Sequence, residues 1–116
     1  MIRGNASFCR RFKKDAIHDD ACQTLHDMGF SVHDSHKAGG GFGDAVVGAC
    51  LITDILEFKT GNAPYTPLQV KFHKEWRGRP IVTLRSLAAV LEWGLRQLHE
   101  RRRQPMQKAL TAVTPA

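Results

Sequence analysis

The sequence predicts an α+β domain in which a mixed central sheet is flanked by helices, in the order helix, strand, strand, strand, helix, strand, helix. Apolar residues recur at helical spacing in separated stretches, short alternating or continuous apolar runs fill the intervals, and Gly- and Pro-rich punctuation divides the two patterns. A chain of 116 residues with 42% hydrophobic content has apolar material for one core and one domain.

Each element has its own local argument. Residues 14–28 read as a helix, because Ile17, Ala21, Leu25 and Met28 form one stripe and Gly29 is a natural stop. FSVHD follows as a strand with Phe30 and Val32 on one face. HKAGGGFGD, residues 36–44, reads as a loop whose glycines serve positive φ angles or a close backbone approach. It is not a phosphate-binding P-loop, since no GK[ST] follows. AVVGACLITDILEFKT gives two strands joined by a turn between Gly48 and Asp54. GNAPYTPLQ is punctuation, after which Thr66 caps a helix with Pro67 at its first position, continued by Leu68, Phe72 and Trp76. IVTL is the last strand. Ser86 then caps a final helix through Leu87, Val90, Leu91, Leu95 and Leu98, which Pro105 is expected to end. The resulting organisation is a basic segment at 1–13, a domain at 14–104, and a tail at 105–116 free to be disordered.

Charge and composition narrow the partners. The formal net charge of +6 and pI of about 9.7 favour a polyanion, nucleic acid ahead of acidic membrane. Arg10, Arg11, Lys13 and Lys14 crowd the start and Arg101, Arg102 and Arg103 the end, as phosphate contacts or as solvated ends. No apolar run approaches the ~18 residues of a membrane span, and the basic N-terminus lacks the apolar stretch of a signal peptide, so an intracellular protein is expected. Cys9, Cys22 and Cys50 form no CxxC pair, and Cys22 and Cys50 read as small buried apolar residues. His33 and His36, in HDSH, fall on opposite faces or in the following loop, which argues against a zinc site.

The chemistry concentrates in ILEFKTG, residues 55–61. Successive strand side chains alternate, so Glu57 and Lys59 share the face opposite Leu56 and Phe58. Two opposite charges on a buried strand either neutralise one another or hold a third group. A hairpin through the 49–53 turn places Asp44 near the end of the strand carrying Glu57, where a modest register offset lets both carboxylates reach one point. Two converging carboxylates suit Mg2+, and Lys59 beside them can orient water or stabilise a phosphoryl transition state.

These residues resemble a family. Asp44 followed by Glu57-Phe58-Lys59 looks like the D…(D/E)xK signature of the PD-(D/E)xK nuclease superfamily. GGGFGDAVVG, ILEFKTG and TPLQVKFHKEWRG together resemble small stand-alone phage and bacterial nucleases of the VRR-NUC group, over roughly residues 15–93. The resemblance implies a restriction-endonuclease-like core and a Mg2+- or Mn2+-dependent DNA endonuclease. It would be a homodimer acting on branched DNA such as four-way junctions, in the cytoplasm of a bacterium or phage-infected host, with no membrane or small-molecule partner. It implies Asp44, Glu57 and the Phe58 carbonyl as metal ligands and Lys59 as the catalytic lysine. Gln69 would orient the site, and Asp20 would be the acidic residue directed at it from the first helix. Lys37, Gly40 and Phe42 of the glycine-rich loop, with Arg10, Arg11, Lys13 and Lys14, would face DNA, although packing over the sheet edge is the simpler role for Phe42. Gly43 stands where the signature carries proline, and Asp20 is shorter than the commoner glutamate. A second reading keeps the fold without catalysis, as a DNA-binding or assembly subunit.

Overall fold

The computed structural model describes the backbone of residues 14–113 and side chains through residue 102. The elements follow the expected order: α1 (His18–Asp27), β1 (Ser31–Asp34), β2 (Ala45–Ala49), β3 (Ile52–Phe58), α2 (Pro67–Glu75), β4 (Val82–Leu84) and α3 (Leu87–Val113). They form an α+β domain whose four strands lie in the order β1-β2-β3-β4. The first two pairings are antiparallel, and β3 and β4 are parallel, joined by the crossover that contains α2.

One core lies on one face of the sheet. Ala21 and Leu25 of α1 and Val90, Trp93 and Leu98 of α3 close over Ala45, Val47, Leu56 and Phe58, with Phe30 stacked on Trp93 at 5.6 Å. Alternation along β3 sends Leu56 and Phe58 into this core and turns Glu57 to the side on which Gln69 of α2 lies. None of the α2 residues is buried.

Several expectations are corrected. The first helix starts at His18, with Ile17 at its N-cap, so residues 14–17 run ahead of it, the last two as turn. Asp54 belongs to β3, not to a turn. There its buried carboxylate accepts from Arg101 and, at 2.8 Å, from Arg79 Nε. Arg101 is therefore an internal ion-pair partner, unavailable as a surface phosphate contact. Cys50 is exposed, at the tip of the β2–β3 hairpin, and Cys22 is half-buried. Leu87, Leu91 and Leu95 are exposed, because Val90 and Trp93 turn the buried stripe of α3 away from them. The last helix continues through Pro105 to Val113. A proline within a helix removes one backbone hydrogen bond and bends it without forbidding helix beyond. Among the described residues no helix is long and apolar enough to cross a membrane.

Candidate functional site

Asp44, Glu57, Phe58, Lys59 and Gln69 line one open cleft of about 380 Å³. Backbone geometry brings the two acids together. The Asp44 N–H donates to the Leu56 carbonyl at 2.8 Å, although Leu56 is registered opposite Ala45. Two residues thus oppose one, the pattern of a β-bulge, which re-aims a side chain at a sheet end. Gly43 makes the close crossing possible. A Cβ there would sit 2.5 Å from Ile55 Cγ2 and 2.6 Å from the Leu56 carbonyl oxygen. This accounts for glycine at the position where the resembled signature has proline. Asp44 Oδ2 then accepts from the Phe58 N–H at 2.8 Å, which fixes the carboxylate against the strand carrying Glu57.

Gln69 is oriented by its own helix. Thr66 and Gln69 form a reciprocal capping box, in which Thr66 N–H donates to Gln69 Oε1 at 2.9 Å and Gln69 N–H donates to Thr66 Oγ1 at 3.2 Å. Since the amide oxygen is engaged by a donor, Nε2 is the atom left to face the sheet. It donates to Glu57 Oε2 at 2.8 Å. A helix-start motif thereby becomes a support for the cleft carboxyl.

Glu57 is 2% exposed, and its other oxygen, Oε1, is buried without a hydrogen-bond partner. Its oxygens are thus not neutralised by direct bonding to Lys59. Burial first, then the adjacent Asp44 charge, push the Glu57 carboxyl up to about 9. Lys59 opposes the shift through its charge, and Asp15 adds to it. Lys59 is itself 9% exposed, with Nζ 5.8 Å from the centre of the Tyr65 ring.

Asp15 is the cleft acid that the sequence reading did not single out. Because the helix begins only at His18, the turn before it runs beside the end of β3. Asp15 Oδ2 accepts from Thr60 N–H at 2.9 Å, and Oδ1 accepts from the Thr60 hydroxyl. Burial pushes the Asp15 carboxyl up, but the hydrogen bonds from Thr60 and Ile17 outweigh it and hold the group below its ordinary value. Asp20 is exposed and is not among the cleft-lining residues. With Asp19 it occupies the first turn of α1, where negative charge complements the helix dipole. An acidic residue just ahead of the apolar stripe was the available signal for Asp15, and the misplaced helix start concealed it.

The remaining candidates are dispersed. Lys14 lines the cleft and pairs with Asp19 at 2.9 Å. Lys37 and Gly40 are exposed on the glycine-rich loop, where Gly40 has φ 64°. Phe42 packs edge-on against Phe72 of α2 at 5.2 Å, which binds the loop to that helix. Arg10, Arg11 and Lys13 lie outside the described residues.

A second cluster occupies the α1 side of β1. His18, Asp34 and His36 bring donor atoms within 4.8 Å of one another and could hold a metal ion. The HDSH spacing points to His33 and His36, whereas the structure brings His36 beside His18 of α1. Compared with family models, curated proteins and solved structures, the chain matches none.

Proposed function

We propose that this chain is a divalent-metal-dependent nuclease that hydrolyses phosphodiester bonds in DNA, with branched DNA as substrate and a homodimer as the working form. The supporting observation is the buried, partnerless Oε1 of Glu57 beside Asp44, in an open cleft that also holds Lys59. Two carboxyl groups share this cleft and one of their buried oxygens lacks a donor, an arrangement that a cation would relieve. The donors are hard oxygens, which fit Mg2+ or Mn2+, with Asp44, Glu57 and the Phe58 carbonyl as the ligands. When bound, the ion supplies charge neutralisation at a phosphoryl oxygen and makes water more acidic. The other roles belong to the chain. Phe58 N–H and Gln69 Nε2 hold the two carboxylates in place, and the Lys59 ammonium stabilises negative charge developing on the phosphoryl group. Lys14, at the cleft, and Lys37, on the glycine-rich loop, provide positive charge for the DNA backbone.

Labelled linear, flap and four-way DNA incubated with the full chain and Mg2+ or Mn2+ tests this reading. Cleavage is expected, strongest on branched substrates, and Lys59→Ala and Asp44→Asn should each reduce it by about 100-fold or more. Binding without cleavage by the unaltered chain would instead indicate an assembly or DNA-binding subunit. Undiminished cleavage by Asp44→Asn would remove this cleft from the reaction.

A further inference from the structure

We propose that His18, Asp34 and His36 form a second metal site, structural in role and selective for a borderline transition dication of the Zn2+ class. This site is separate from the Asp44–Glu57 carboxylates. Asp34 is registered opposite Ala45, whose side chain is in the core beneath α1 and α3, while Glu57 faces Gln69 on the other side of the sheet.

The donors are already gathered. His18 Nε2 lies 3.0 Å from Asp34 Oδ2, and His36 Nδ1 lies 2.6 Å from Asp34 Oδ1. Ligands at ~2.0–2.1 Å around a tetrahedral zinc lie roughly 3.3 Å apart, and one donor atom from each of the three residues lies within 4.8 Å of the others, so they need only draw together about a common point. His18 is fully buried, edge-on to Phe58 at 5.5 Å and to His36 at 5.2 Å. Its Nδ1 has no partner, so every polar contact of the ring is made through Nε2. Cys22, one helical turn onward, holds Sγ 3.8 Å from that same nitrogen and is the nearest soft donor for a further position.

Two imidazoles and one carboxylate select against Mg2+, which prefers oxygen ligands and keeps its waters. Bound there, the ion would clamp α1 to the start of the glycine-rich loop. The clamp reaches the catalytic cleft through the backbone: Ser35 N–H donates to the Asp44 carbonyl at 2.9 Å, and Ser35 Oγ donates to the Gly43 carbonyl at 2.8 Å.

The test is a Zn2+ titration of the chelator-stripped full chain in excess Mg2+, read by a competing chromophoric chelator and by thermal melting. One equivalent of Zn2+ should bind despite the Mg2+ and raise the melting temperature. Asp34→Asn and His36→Ala should each weaken that binding at least tenfold. His33→Ala and Asp44→Asn should leave it intact, and the latter separates this site from the nuclease reading. Circular dichroism of the stripped variants confirms that they fold, and the near-isosteric Asp34→Asn keeps the test decisive if His36→Ala does not. The absence of stoichiometric Zn2+ binding by the unaltered chain, or binding that survives Asp34→Asn, would show an ordinary His–Asp–His hydrogen-bond network and overturn the proposal.

Discussion

Glu57 keeps its proton where an ordinary carboxyl loses it, and the consequence for stability has a definite sign. Its carboxyl is raised from 4.5 to about 9 by burial and by Asp44. Between those pH values the unfolded chain has released this proton while the folded chain retains it. Stability contributed by the group is therefore complete below pH 4.5 and declines as pH rises toward about 9. A cation held by the same oxygens would replace the proton and oppose the decline. In Glu57→Gln the amide can donate to Asp44 without ionising. With metal chelated, this variant should melt above the unaltered chain at the alkaline end of that window and show a flatter dependence on pH, while losing the proposed cleavage. Melting curves across pH check it. A variant less stable than the parent throughout would mean that the carboxyl is not strained.

The β2–β3 hairpin poses a conformational question of its own. Its turn residues Cys50 and Leu51 have φ of 53° and 66°, the left-handed region that glycine and asparagine occupy more readily. Leu51 is also fully exposed, so it gains no packing for the strain. Leu51→Gly should stabilise the domain by about 1 kcal/mol in urea denaturation and leave the proposed DNA cleavage unaffected, because the turn lies at the opposite end of β3 from Phe58. The same elements show what a sequence discloses. The order of helices and strands was legible because apolar periodicity is local, and so was the Thr66–Pro67 helix start. Asp44, Glu57 and Lys59 were legible as a group because their placement needs only strand alternation and one hairpin, whereas Gln69 was indicated only by the resemblance. Asp54 was misread as turn punctuation because its charge is explained by Arg101, a residue far along the chain. Asp15 was missed because a helix boundary, the least determined feature of a periodic stretch, decided which acid reaches the cleft. His18 and His36 meet only through the packing of α1 on β1, which no spacing announces.

Across the whole molecule, Asp54 and Arg101 join the sheet to the far part of α3. Arg101 is buried, its Nη1 donates to the Ala49 carbonyl at 3.4 Å, and its guanidinium lies 5.9 Å from the Phe30 ring and 5.8 Å from Trp93. Arg79 reaches the same carboxylate from outside and is about half exposed. A buried charge that loses its partner is far more costly than an exposed one, so the two arginines should not behave alike. Asp54→Ala is expected to destabilise by ~3–5 kcal/mol, since Arg101 is then left buried without its carboxylate, whereas Arg79→Ala should cost about 1 kcal/mol or less. Replacing both members of the buried pair, as Asp54→Leu with Arg101→Met, should recover most of the loss, because two apolar groups need no mutual neutralisation. A double-mutant cycle in urea denaturation measures that coupling, and additive losses would show that the pair does not act as a unit. The cycle also divides the basic C-terminal cluster by role. Arg101 is committed to the fold, so under the proposed function the salt dependence of DNA binding should be retained in the folded double variant, while removal of an arginine that contacts phosphate would lower it.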